Sequence, residues 1–392
     1  MSNRIKILFV LFVSFVVSQL SLAGVDATEP AHYPEFSWDH VPRYMHLRKA
    51  EAFNQEELHY LSKFPIITLE KTTGQGTYGS TELGSREAAK GIKAINPNAK
   101  VLYYRNIMVH YGGYAINDNL INVKQPFLRN NSGETKLIRN RVQAYDLRDS
   151  SLQDWWLDHC FDMASYPEID GIFIDGNIKA LEPAFLKREI GEDNKADVKE
   201  AYAQMMMDLD EGVGPDKLLI ANLIRARLPN SGLDYIQNFD GSYIEGFEAE
   251  ANGLTKLEYV AKGIAAIQKA AREGNIICFS MGLGKALDVG LKIDDTRAKL
   301  EEGSYAQERL TYALAIFLIC AEKYSYFLPH DGYSVNRNDS SVWLKDFPEF
   351  ERPLGPPMGP AKLDGYVYTR EFEHASVWLD IEKDEARVEW NR

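Results

Sequence analysis

Three carboxylates close short apolar runs in this chain and then meet a turn or a cation. Asp175 ends Ile169-Asp170-Gly171-Ile172-Phe173-Ile174-Asp175 ahead of Gly176-Asn177, Glu245 follows Ser242-Tyr243-Ile244 ahead of Gly246-Phe247, and Glu70 follows Pro65-Ile66-Ile67-Thr68-Leu69 ahead of Lys71. Acids at the C-terminal ends of buried parallel strands are where a (β/α)8 barrel keeps its reacting groups. Two such carboxyls suit cleavage of a glycosidic bond, one as acid and the other as nucleophile or as base for water. Asp175 is the first member of the pair, although Asp-Gly-Asn is also ordinary turn chemistry. Glu245 is the second. Its neighbours Tyr243, Ile244 and Phe247 predict a partly desolvated carboxyl that keeps the proton of a general acid. Asp240 and Glu248 compete for that role.

Amides and cations at the other expected strand ends complete a carbohydrate site. Glu70, Arg105, Asn177, Asn222, Arg225, Asp240, His330 and Asp331 are candidates for holding sugar hydroxyls. For Glu70 the plainer alternative is an ion pair with Lys71 or Arg105. For His330 beside Asp331 it is a structural histidine. Arg48, Lys49, Arg105, Arg225 and Arg227 fall near the same expected face, which predicts a locally positive pocket fitted to sulfate or uronate groups. No Ser-His-acid order and no His-x-His metal pattern is present. Gly282-Leu283-Gly284-Lys285 lacks the spacing of a phosphate loop. The expectation is a site without metal or cofactor.

Strands and helices alternate along the chain. Strands are predicted at 41–48, 65–70, 100–106, 169–175 and 217–223. A weak sixth at 233–239 continues into 242–247, and two more follow at 275–281 and 324–328. Helices are predicted between them, with a long irregular stretch at 110–149. About eight β–α alternations predict a closed (β/α)8 TIM barrel over 24–340. A Pro/Gly-rich connector and a small antiparallel β-meander are expected over 341–392, packed on the barrel because the segment is too small for its own core.

Arg4 and Lys6 precede an apolar run from Ile7 to Val17 and then Ser21-Leu22-Ala23, the pattern of a signal peptide over 1–23. The run is too short for a stable membrane anchor. The protein is therefore expected to be exported, to a periplasm or the extracellular space. Losing that leader takes the net charge from -13 to about -15, a balance that excludes nucleic acid as the natural partner. Carbohydrate is the expected partner. Cys160, Cys278 and Cys320 are too few for a disulfide framework and read as buried thiols.

Phe36-Ser37-Trp38-Asp39, Ile67-Thr68-Leu69-Glu70-Lys71, Asp170-Gly171-Ile172-Phe173-Ile174-Asp175 and Tyr368-Thr369-Arg370-Glu371-Phe372-Glu373 together resemble the uncharacterised glycoside-hydrolase barrel families. The placement of acids is similar to that in the α-galactosidase clan. That resemblance implies Asp175 as nucleophile at the fourth strand, Glu245 as acid/base at the sixth, and net retention. The clan usually has Asp as acid/base, so Glu245 is a departure and Asp240 stays open as the alternative. The other reading is an exported glycan-binding barrel that has lost catalysis.

Overall fold

The computed structural model describes residues 30–283, 304–330, 332–335, 342–344 and 346–391. The expected leader, Asp331 and the Gly284-Lys285 pair lie outside the described residues.

Eight short parallel strands pair in sequence order. They are β1 (Met45–Leu47), β2 (Ile66–Leu69), β3 (Lys100–Asn106), β4 (Gly171–Asp175), β5 (Leu218–Asn222), β6 (Gly241–Ile244), β7 (Ile276–Gly282) and β8 (Ser325–His330). Nearly every strand residue is buried, as expected of strands covered on both faces. The sheet returns on itself through a parallel bridge between Arg43 and Phe327, where Tyr44 N donates to Phe327 O at 3.0 Å and Phe327 N to Pro42 O at 2.8 Å. The result is the expected (β/α)8 barrel. Gly171 and Gly241 sit where neighbouring strands crowd: a Cβ on either would stand 2.0 Å from the carbonyl oxygen of Leu218 or Ile276.

Helices α1 (Gln55–Leu61), α2 (Gln75–Tyr78) and α3 (Thr81–Ile95) precede β3, and α4 (Ser150–Ser165) precedes β4. Then come α5 (Asn177–Leu181), α6 (Pro183–Ile190), α7 (Glu192–Val213), α8 (Lys256–Arg272) and α9 (Ser304–Cys320). Local sequence sets several starts. Asn54 with Glu57 and Thr255 with Glu258 form capping boxes, while Ser80 and Asp149 each accept a first-turn amide. All three cysteines are buried free thiols. None of the described helices is long and apolar enough to cross a membrane.

The sixth strand is a correction. Residues 233–239 do not form it; Pro229–Asn238 folds as 3-10 turns and the strand is Gly241–Ile244. Leu233, Ile236 and Phe239 recur every third residue, which is the 3-10 period and not the strand period. Asp240 therefore stands before β6 and not after it.

A four-stranded antiparallel sheet follows the barrel, ordered β12 (Glu385–Trp390), β11 (Ala375–Asp380), β10 (Val367–Glu371), β9 (Lys362–Asp364). α9 packs against β10, β11 and β12. Arg370 reaches from β10 under α9, donating through Nη1 to Leu318 O at 3.0 Å and to Ala321 O, and through Nη2 to Glu322 Oε1 at 2.8 Å. Leu318 O lies in the last turn of α9 and Ala321 O just past it, where carbonyls lack a partner within the helix.

Candidate active site

The C-terminal ends of β3, β4, β5 and β6 converge on one hydrogen-bonded cluster. Asp175 Oδ2 accepts from the Tyr104 hydroxyl at 2.6 Å and from Asn106 Nδ2 at 3.0 Å. Its Oδ1 accepts from Gly176 N at 2.7 Å and from Asn222 Nδ2 at 3.1 Å. An ionised carboxylate offers about four lone-pair sites, so protein donors occupy all of them. Gly176 turns at φ 86°, and a Cβ there would stand 2.4 Å from Asn106 Oδ1. That oxygen in turn accepts from Met108 N and Val109 N at 3.0 and 2.6 Å, fixing the amide that holds Asp175.

Asn222 reaches further. Its Nδ2 also donates to Glu245 Oε2 at 2.9 Å, and Arg225 Nη2 donates to the same oxygen at 3.0 Å. One amide nitrogen thus touches both carboxylates, which brings their nearest oxygens within about 6 Å of each other. The Glu245 side chain is 42% exposed and paired with Arg225. Its setting is a solvated ion pair rather than the apolar enclosure that its neighbours predict. Tyr243 turns into the barrel floor, and Phe247 packs against Phe279 on β7.

Glu70 lies beside this cluster, 4% exposed. Arg48 Nη1 donates to its Oε2 at 2.8 Å, Lys71 Nζ pairs with Oε1, and His46 Nε2 lies 4.0 Å from Oε1. Burial raises its pKa, but the nearby His46 and the Lys71 and Arg48 charges outweigh burial and lower the value to about 2. Lys71 Nζ also sits 4.8 Å from the Tyr104 ring centre and 5.0 Å from that of Tyr111. Burial, followed by the charges of Asp175 and Glu70, pushes the Tyr111 phenol up to about 12.

The floor beneath is aromatic. His46 stacks on Tyr243 at 5.0 Å and meets Phe173 edge-on at 4.9 Å. The Tyr243 hydroxyl donates to the Tyr333 hydroxyl at 2.6 Å, and the latter lies 3.2 Å from His330 Nε2. Burial, with His46 nearby, lowers the His330 imidazole to about 3, so His330 is neutral at ordinary pH.

Other expected residues stand elsewhere. Arg105 alternates with Tyr104 and Asn106 on β3 and so faces the helical layer, 4.7 Å from the Tyr114 ring centre and 5.0 Å from that of Trp155. Its Nε and Nη2 are buried and make no hydrogen bond among the described residues. Asn177 is fully buried: Nδ2 donates to Ile174 O at 2.8 Å and Asn222 O at 3.3 Å, and Oδ1 accepts from Tyr202 at 2.8 Å. It sets the end of β5 and does not open to the mouth. Asp240 lies at the opposite end of the barrel, accepting from Leu219 N at 2.8 Å and pairing with His32 Nε2 at 2.9 Å. Glu248 pairs with Arg309 and, at 3.1 Å, with Lys256. The cations expected to line one positive pocket are spoken for as well: Lys49 holds Glu57 at 2.8 Å and Arg227 holds Glu182 at 2.7 Å.

Tyr104, Tyr333 and Tyr111 join the site without standing among the candidates read from sequence, whereas Lys71 is there as the ion-pair partner the sequence offered for Glu70. Period-two alternation along Tyr103-Tyr104-Arg105-Asn106 carries the signal for Tyr104, which must share a face with Asn106. Tyr111 opens the long irregular stretch after β3. Nothing local marks Tyr333 beyond its place three residues after β8. Among the described residues, no group of three or more His, Cys, Asp or Glu side chains is gathered as metal ligands.

A parallel eight-stranded barrel with paired carboxylates at its C-terminal mouth is the architecture of a glycoside-hydrolase barrel. The chain belongs to hypothetical glycosyl hydrolase family 15, whose sequence profile matches residues 93–376, and it is a glycoside hydrolase. No curated protein matches the sequence. Among solved structures it is similar to an Anoxybacillus α-amylase at 12% identity, covering 88% of this chain and 87% of that one with a TM-score of 0.49. An α-galactosidase from Thermus thermophilus is also similar, at 12% identity, 90% and 68% coverage and a TM-score of 0.44. An α-galactosidase from Geobacillus stearothermophilus matches at 10% identity, 88% and 48% coverage and a TM-score of 0.48.

Proposed function

We propose that the protein is an exported retaining glycoside hydrolase acting on a poly- or oligosaccharide, with Asp175 as nucleophile and Glu245 as acid/base. The observation that carries this reading is the pair of carboxylates joined through Asn222 Nδ2, at 3.1 Å from Asp175 and 2.9 Å from Glu245. So short a bridge favours direct attack, because inverting enzymes hold their carboxyls roughly 6.5–9.5 Å apart to admit a water. An Asp175 oxygen gives its electron pair to the anomeric carbon as the glycosidic C–O bond breaks. The leaving oxygen takes the bond pair and the proton of Glu245. Glu245 Oε2 already accepts from Asn222 and Arg225, so Oε1 is the oxygen that bears the proton. Glu245 then removes a proton from water, which attacks the same carbon and frees Asp175.

Glu70, held ionised between Arg48 and Lys71, accepts from sugar hydroxyls at the β2 side of the mouth. The cations near the pair are already engaged by carboxylates, which favours a neutral sugar at the reacting position. Export rests on the Arg4/Lys6, Ile7–Val17 and Ala23 pattern.

The test is a screen of neutral, sulfated and uronate-rich polysaccharides with wild type, Asp175→Asn and Glu245→Gln, with products read by mass spectrometry. Wild type should release sugar with the anomeric configuration retained, as followed by proton NMR, and Asp175→Asn should release none. Inversion would sink the double displacement. Binding by all three proteins without release by any would make the chain a glycan-binding barrel instead.

A further inference from the structure

The amide of Asn222 holds an unusual position. The side chain belongs to a residue only 5% exposed, and its Oδ1 is buried with no hydrogen-bond partner among the described residues. All of its bonding is done by Nδ2, which divides itself between two carboxylates on different strands. The orientation is forced: turned over, the amide would set its oxygen against two acceptor oxygens, Asp175 Oδ1 and Glu245 Oε2. Asn177 fixes the backbone beneath it, through Nδ2 to Asn222 O at 3.3 Å, and Tyr202 fixes Asn177 in turn.

Asp175 meanwhile has no lone pair to spare. An oxygen that attacks carbon must first give up a hydrogen bond, and the four it could give up are unequal. Tyr104 at 2.6 Å, Gly176 N at 2.7 Å and Asn106 at 3.0 Å are shorter than Asn222 at 3.1 Å. Gly176 N is fixed in the backbone, and Tyr104 has no second carboxylate oxygen as an alternative. Asn222 does, already 2.9 Å away on Glu245. It is therefore the donor whose release costs least.

We infer that Asn222 is a positioning residue, not a substrate ligand: its single amide nitrogen spaces the two carboxylates and passes wholly to Glu245 as Asp175 Oδ1 attacks. The inference rests on the proposed roles of Asp175 and Glu245. As the bond from Oδ1 to the anomeric carbon forms, that oxygen loses its negative charge and its need for the donor. Glu245 gains negative charge in the same step by releasing its proton to the leaving oxygen. The donor moves from the group that loses charge to the group that gains it, an interaction strongest in the transition state and so expressed in kcat.

The experiment compares Asn222→Ala and Asn222→Asp with wild type on the polysaccharide from which wild type releases most product. Asn222→Asp keeps an acceptor where Oδ1 lies but removes the donor. A shared donor predicts that both variants lose roughly 100-fold or more in kcat while KM stays within about threefold. A residue that held the sugar through Oδ1 would raise KM in Asn222→Ala and be rescued by Asn222→Asp, which would overturn the inference. So would a kcat within about threefold of wild type in either folded variant. Thermal melting and circular dichroism establish that each variant is folded. Should Asp175→Asn remain active, the proposed mechanism fails; should it be dead while Asn222→Ala turns over normally, only the role of Asn222 fails.

Discussion

Tyr104 and Asp175 are joined across β3 and β4 by a 2.6 Å hydrogen bond, the shortest of the four that the carboxylate accepts. Burial first, and then the charges of Asp175 and Glu70, push the Tyr104 phenol well above its ordinary range, so it stays a donor. Lys71 covers one face of its ring and Phe173 lies 5.8 Å away in a stacked arrangement. Tyr104→Phe keeps that packing and removes only the hydroxyl. A hydrogen bond to a charged group contributes about 1.5–3 kcal/mol, so kcat should fall roughly ten- to hundredfold with little change in melting temperature. Steady-state kinetics beside a thermal melt check it. Unchanged kcat would mean that Asn106, Gly176 and Asn222 orient Asp175 without help.

Glu70 ties the mouth to stability as well as to substrate. Its folded pKa of about 2 lies below the ordinary 4.5, because His46, Lys71 and Arg48 outweigh the burial that opposes them. A depressed folded value contributes stability above the unfolded pKa, and that contribution is lost as pH falls through the folded one. The contribution is roughly 3 kcal/mol near neutrality. Urea denaturation of wild type and Glu70→Gln should show a gap of that order at about pH 7, narrowing between about 4.5 and 2. A gap that stays constant down to about pH 2 would place the stabilisation in packing rather than in the carboxylate's charge.

Asp240 and Glu245 separate cleanly on geometry. Asp240 binds His32 and Leu219 N at the far end of the barrel, while Glu245 shares Asn222 with Asp175. Asp240→Asn should leave kcat within about twofold and cost about 1 kcal/mol of stability, since one partly buried acceptor is weakened. A large loss of kcat with the melting temperature intact would return Asp240 to the chemistry.

The same residues show where sequence is readable and where it is not. Strand β4 stands out because its apolar run is short, β-branched and cut by Gly176, so Asp175 could be placed by inspection. Strand β6 is four residues long, and the apolar residues ahead of it are spaced for 3-10 turns. Sliding that strand by a few residues moves Asp240 from one end of the barrel to the other. Arg105 and Asn106 are adjacent in sequence, yet the strand sends them to opposite faces. Asn177 follows the Asp175 turn directly, but α5 folds it back under Asn222. Nor could sequence foretell the Asn222 bridge, because hydrogen bonding across strands depends on register. β5 pairs with β6 so that Asn222 lies opposite Tyr243, two residues before Glu245.

Arg370 ties the C-terminal sheet to the end of α9. Arg370 is 3% exposed and spends its guanidinium on the carbonyls of Leu318, Ile319 and Ala321 and on Glu322. Burial drives its pKa down, and the neighbouring Glu322 opposes that shift. The carbonyls belong to the end of α9, whose outer side β10, β11 and β12 cover. Arg370→Met keeps the stem and removes every donor, taking the guanidinium from Leu318 O and Ala321 O, while Ile319 O keeps Gln268 Nε2 at 2.9 Å. At about 1–3 kcal/mol for each buried group left unsatisfied, the loss should reach about 2–6 kcal/mol, a large share of a typical domain's stability. Arg370→Met should therefore be largely insoluble, or melt well below wild type, even though Arg370 lies outside the catalytic cluster. Arg370→Lys should be intermediate, because an ammonium reaches fewer of the carbonyls at once. A well-folded Arg370→Met protein with wild-type melting would show that the apolar contacts of α9 with the sheet suffice, and that the guanidinium only fills a place that packing has already made.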